Sequence, residues 1–258
     1  MDMETILTIL LPASFVVLLV VERLFPARPL PKISWWLAKG FVFFIIGGAI
    51  NSAIPGAVAS AVGRFAPIQI EKFGLLPNLA ILLVLGELTA YWMHRGLHRV
   101  HFIWRWTHQM HHSAERLDVA GSVLFHPFDI AIQAAAGTLP AALLGASGDA
   151  AALAGTIAFI VSMFQHLNVK TPQWLGYIVQ RPESHSVHHA RGVHAYNYGL
   201  FAFSDLLFGT FRNPRDFVEE QGFWNGASKK VGSMLIGRDV GEPAPAAKPV
   251  DMVEAAAE

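Results

Sequence analysis

The chain has 258 residues, of which 53% are hydrophobic and only 15% charged, against about 25% charged in an ordinary soluble domain. Its 19 basic and 19 acidic residues cancel, so it offers no basic face for a nucleic acid backbone. No cysteine is present, which excludes disulfides, thiolate zinc sites and iron-sulfur clusters and leaves nitrogen or oxygen as the available metal ligands.

Apolar runs approaching the roughly 20 residues that cross a bilayer as helix fall at 6–21, 41–62, 79–93, 130–146 and 150–165. The last two are short, alanine-rich and separated by Ser147-Gly148-Asp149, so they read as a helical hairpin that either crosses or dips in. Asp2 and Glu4 replace a basic leader, and Glu22-Arg23 stands where small residues would permit cleavage; the first run is expected to remain as an anchor. Arg23, Arg28, Lys32 and Lys39 place the first connection in the cytoplasm and the N-terminus outside. Three crossings then bring everything beyond residue 93 to the cytoplasmic side. Trp35, Trp36 and Trp92 lie near the ends of runs, where indoles favour the headgroup layer. The expected architecture is an all-α membrane protein of four to five transmembrane or re-entrant helices, with a cytoplasmic helical cap holding a dimetal site. Residues 1–236 form one integral-membrane unit in this reading, and the Ala, Pro, Glu and Lys alternation of 237–258 a disordered tail.

All 12 histidines lie between His94 and His194. His94 and His98 are one helical turn apart, and His108, His111, His112 and His185, His188, His189 repeat the spacing i, i+3, i+4, so each cluster is expected to converge on one side. A lone HxxxH is most often structural. Eight imidazoles in three such groups exceed the needs of one tetrahedral ion, and two metals are the economical reading. Imidazole suits zinc, copper, iron and nickel, so ligand type does not name the metal, and a cationic site of neutral ligands fits either hydrolysis or oxygen chemistry.

At these residues the chain resembles a known family. Glu87-Leu-Thr-Ala-Tyr-Trp-Met-His94-Arg-Gly-Leu-His98 and Trp104-Arg-Trp-Thr-His108-Gln-Met-His111-His112-Ser113 are similar to the fatty acid hydroxylase and sterol desaturase superfamily of membrane di-iron oxygenases. His126-Pro127, His166-Leu-Asn168, Pro182-Glu-Ser-His185-Ser-Val-His188-His189, Asn197-Tyr198-Gly199 and Asp205-Leu-Leu-Phe208-Gly209-Thr210 agree in order and spacing. The resemblance implies two iron ions that activate O2, with externally supplied electrons, to hydroxylate or desaturate a C–H bond of a lipid. Carried over by position, the ligands are His94, His98, His108, His111, His112, His185, His188 and His189, with His166 as a ninth. Many relatives carry Arg and Trp where this chain has Leu124 and Ser204, a difference that touches the substrate class: fatty acyl chain, sterol-like lipid or carotenoid. The location implied is a bacterial inner membrane.

Glu87 lies seven residues before His94 on an apolar run, and an ionisable residue there is a functional candidate, expected to orient a ligand imidazole. His126, Asn168, Asp205 and Asp118 are candidates for the same task, whereas His101 reads as structural and Arg95, Arg99 and Arg105 as headgroup contacts. With no cysteine and no flavin or haem module, electrons must come from a separate donor, such as a ferredoxin or a cytochrome with its reductase. Two other classes compete. A zinc-dependent membrane hydrolase would work without O2. A metal transporter would place histidines within its spans, yet none precedes residue 94; a non-enzymatic metal-binding protein would escape that objection.

Overall fold

A computed structural model describes residues 1–241. Five long helices form its frame: α1 (Met3–Leu24), α2 (Trp36–Val62), α3 (Leu75–Arg99), α6 (Pro127–Leu144) and α7 (Gly148–Phe164). Short helices α4 (His101–Trp106), α5 (Gln109–His112), α8 (Pro182–His188), α9 (Ala202–Leu207) and α10 (Val231–Leu235) fill one end. Two isolated bridges, Val179 with Phe201 and Ala190 with Gln221, are the only β pairings among the described residues. The expected all-helical architecture is therefore what the chain adopts.

α1, α2, α3 and α6 are long and apolar enough to cross a membrane, and α7 is a shorter apolar helix. Their outward faces stay apolar, with Val16, Val17, Val20, Ile45, Leu76 and Val84 exposed, as helices solvated by lipid require. Inside, Phe15 of α1 stacks on Phe44 of α2 at 4.5 Å and meets Phe41 edge-on, within a cluster that includes Met163 and Leu167. α6 packs between α2 and α3, and α7 between α1 and α3.

The connections reveal which ends lie together. Glu22, buried at the end of α1, accepts from the backbone amides of Val119 and Asn168, both at 3.0 Å. Ala27 donates to the carbonyl of Asn168, and Arg116 to that of Pro31. The basic first connection therefore sits at the same end as the short helices. At the opposite end, Ser147 donates to Asn78 and Glu71 to the carbonyl of Gly145. The tip of the α6–α7 hairpin thus reaches the level of the α2–α3 connection.

Two local details depart from expectation. Trp36, the first residue of α2, turns inward, buried, and donates to Asp118 at 2.8 Å, while Trp35 at φ 59° points outward, 82% exposed. A buried carboxylate partner outweighs the interfacial preference of one indole. Residues 238–240, within the expected tail, are tied down: Gln109 donates to the carbonyl of Arg238, and Trp224 to that of Val240. The remainder of that expected tail, 242–258, lies outside the described residues.

Candidate metal centre

α3 carries its apolar surface upward until its last two turns, which present His94 and His98 on one side. The chain then breaks at Val100 and re-enters as α4 and α5, bringing His108, His111 and His112 beneath them. His166 follows the end of α7, and α8, started by Pro182 at its first turn, delivers His185 and His188, with His189 as its C-cap. All nine come together. They form two groups, His94, His98, His108, His112 and His188 in one, His111, His166, His185 and His189 in the other, and the candidate ligand atoms in each lie within 4.8 Å of one another.

Each of the two later clusters is divided between the groups rather than converging on one side. Successive helical residues point about 100° apart, so His108 and His112 face the first group while His111 faces the second. α8 divides the same way, with His188 in the first group and His185 and His189 in the second. The groups abut where the His112 and His189 rings stack, centroids 4.2 Å apart.

Hydrogen bonds fix how several of these rings are protonated. The Nδ1 atoms of His94, His188 and His166 donate to the carbonyls of Tyr198, Tyr196 and Ser162 at 2.7, 2.7 and 2.6 Å. His108 Nδ1 donates to Asp129 at 2.7 Å, both residues fully buried. Carbonyls and carboxylates only accept, so each of these Nδ1 atoms carries the proton and each Nε2 of the neutral ring is a bare lone pair. Yet His94 Nε2 lies 2.9 Å from His108 Nε2, and His166 Nε2 lies 3.0 Å from His111 Nε2 and 3.2 Å from His185 Nε2. His188 Nε2 is buried and has no partner among the described residues. Two lone pairs facing one another at 2.9 Å repel, whereas a cation between them is attracted to both. The donor set, its tautomers and its crowding therefore fit metal ions held by imidazole nitrogen.

The surroundings keep the rings neutral. Burial, reinforced by neighbouring imidazoles, holds His111, His112, His185, His188 and His189 well below the ordinary histidine range. Burial puts His166 and His194 at about 4. Phe125 stacks on His111 at 3.9 Å, and Trp104 packs beside His98 and His112. These aromatic faces help exclude water from the centre.

The residues expected to orient ligands act less directly. Asp205 accepts from the backbone amides of Tyr198 and Gly199, and Glu87 from that of Leu200, all at 2.9 Å. Together they hold the loop whose Tyr198 carbonyl binds His94. Glu87 approaches so closely that a Cβ on Gly199 would collide with its carboxylate, so this position requires glycine. Among the described residues His126 and Asn168 hydrogen-bond to no ring of either group. His126 caps α6, accepting from the amide of Phe128 at 3.1 Å, and Asn168 donates to the carbonyl of Arg28 at 2.7 Å. His126 contributes one step removed, by starting the helix whose first turn carries Asp129. Asp118 braces Trp36 and Arg116, and His101 lies exposed near Asp239. Two features are absent from the sequence reading, Asp129 and the carbonyls of Tyr196 and Tyr198, while the ring of His194, one of the 12 clustered histidines, lies 3.1 Å from His112. Only Asp129 left a signal, three residues after His126 in the His-Pro motif.

Apolar helices ending at a crowded all-imidazole centre define a class: a helical membrane protein with histidine clusters that could hold metal. The chain belongs to the fatty acid hydroxylase family, whose sequence profile matches residues 79–210, about half of the chain and every histidine of both groups. It is 32% identical over 187 residues to the ornithine lipid hydroxylase OlsE of Rhizobium tropici, covering 69% of this chain and 55% of that protein. The chain thus spans about half the length of that curated relative. No solved structure matches it.

Proposed function

We propose that the protein is a membrane-bound di-iron oxygenase that uses O2 and two externally supplied electrons to hydroxylate a C–H bond of a lipid. One oxygen atom enters the C–H bond, and the other leaves as water with two protons and the two electrons. The observation that carries the reading is the pair of adjoining imidazole groups, in the first of which the outer partners of His94 and His108 leave two lone pairs aimed at one another. Iron bound there would supply the O2 activation that amino acid side chains lack. Hydroxylation is a redox reaction and zinc offers no redox change, which favours iron among the metals that suit imidazole.

The chain's own residues perform the rest of the work. The nine histidines fix the geometry, Asp129 strengthens His108 as a donor, and Phe125, Trp104 and Tyr198 wall the centre against water. His94 and His98 stand at the end of the membrane-crossing α3, so a lipid need travel only to the bilayer boundary to meet them. Electrons arrive from a separate ferredoxin or cytochrome system, because the chain has no cysteine to hold a cluster. Residues 1–236 act as one catalytic unit in a bacterial inner membrane, with the histidine end in the cytoplasm. The family and the relative are both hydroxylases by name, which favours an alcohol over an alkene. The relative also makes an ornithine lipid the first substrate to try, ahead of a plain fatty acyl chain, a sterol-like lipid or a carotenoid.

The test is reductant-dependent oxygen uptake by the purified, iron-supplied protein on ornithine lipid and on total membrane lipid, with mass analysis of the products. The expected result is a lipid heavier by one oxygen atom, formed only when O2, a reductase system and iron are all present. Product formation without O2 would contradict the reading and favour a hydrolase.

A further inference from the structure

We propose that the two halves of the centre bind metal unequally: the five-histidine group fills first and holds its ion, and the four-histidine group releases its ion first. This rests on the metal reading above and adds an order to it. The argument comes from what stands behind each ring.

In the five-histidine group, four of the five rings are gripped at Nδ1: His94 by the Tyr198 carbonyl, His188 by the Tyr196 carbonyl, His108 by Asp129 and His112 by His194. These grips are themselves held. The loop that supplies both carbonyls adopts left-handed backbone at His194, Tyr196 and Asn197, with φ of 42°, 64° and 46°. Non-glycine residues take that conformation at a cost, and it persists only where surroundings over-determine it. Here they do: Asn197 donates to the carbonyls of Ser184 and Arg212 and accepts from the amide of Arg212, while Asp205 and Glu87 take the next three amides. Asp129 is completely buried, and its second carboxylate oxygen is fixed by Gln133 at 2.9 Å. The group thus has five imidazoles, a buried carboxylate behind one of them and a clamped loop behind two more.

The four-histidine group lacks this support. His166 is held by the Ser162 carbonyl of its own helix. The Nδ1 atoms of His111 and His185 are buried and find no acceptor in the protein among the described residues. Among the described residues neither ring is fixed in tautomer by an outer partner, and no carboxylate bonds to any of the four. Outer partners of metal-bound histidine are typically worth about 10–100-fold in metal affinity. One fewer ligand and weaker outer support both act in the same direction.

The experiment titrates metal-free, detergent-purified full-length protein with Zn2+ against a chromophoric chelator, which reads binding without activity. Wild type is expected to show two phases of one equivalent each, the first at least about 10-fold tighter. Asp129→Asn should weaken the tight phase by about 10–100-fold and bring the two together. His185→Ala should remove the weak phase and spare the tight one. Should Asp129→Asn fail to fold, Gln133→Ala, which frees one oxygen of Asp129 without removing its charge, should weaken the tight phase to a smaller extent. Two equivalents binding in a single phase to wild type would overturn the inference while leaving the metal reading intact. So would a tight phase indifferent to the Asp129 or Gln133 change, or one abolished by His185→Ala. No zinc binding at all would overturn the metal reading together with the inference.

Discussion

His108 is held from both sides: Asp129 fixes Nδ1 at 2.7 Å, and Nε2 faces His94 at 2.9 Å and His112 at 3.2 Å. Removing this ring breaks a buried charge-assisted bond and leaves Asp129 without that partner. His108→Ala and His188→Ala are therefore expected to cut product formation by more than the roughly 10–100-fold typical of losing an outer partner, while the proteins still insert and purify. Unchanged turnover in either variant, measured by product mass, would remove that residue from the ligand set. At this scale the sequence is a good guide where chemistry resides in the side chain. Eight histidines at helical spacing announce themselves, and His166 enters through the family resemblance. Tyr196 and Tyr198 do not, because they act through backbone carbonyls that every residue has, and Asn197 matters through a left-handed turn that no spacing encodes.

Among the elements, α5 and α8 show how much one short helix can position. Each sends residues to both groups, because neighbours about 100° apart cannot share a face. Same-face spacing alone therefore finds the histidines that come together and misassigns their partition. Packing nine imidazoles this tightly has a pH consequence. His166 and His194 sit at about 4 in the folded protein, and His111, His112, His185, His188 and His189 are lowered too, chiefly by burial. In the unfolded chain such rings titrate near about 6.5. Between these values the unfolded state binds more protons, so stability is greatest above about pH 6.5 and is lost as pH falls toward about 4. Thermal melts of the metal-free protein are expected to show a melting temperature that falls steadily from about pH 7.5 to about pH 5. A flat profile would contradict the burial of these neutral rings.

For the whole molecule, the claim is that the helices cross a membrane with the histidine centre at one face. Composition made the crossings legible: every apolar run became a helix, though α2 begins five residues before its run and α3 continues six beyond, because polar and aromatic residues at helix ends lower hydropathy without ending the helix. Whether the hairpin crosses was not legible, since two short alanine-rich runs fit either geometry. The contacts of Ser147 with Asn78 and of Glu71 with Gly145 put the hairpin tip level with the α2–α3 connection, so full crossing is the expected outcome. The absence of native cysteine makes this testable by labelling single introduced thiols in intact cells. Lys32→Cys should be shielded from an impermeant reagent, and Glu71→Cys and Asp149→Cys should both react. Opposite behaviour of the last two would mean that the hairpin only dips.

The most direct test of the central claim is the metal content of protein purified in detergent after expression with iron supplied. Two irons per chain are expected, one for each histidine group, with loss of at least one in His108→Ala. A chain that remains free of metal after anaerobic iron reconstitution, with wild-type folding, would contradict the account.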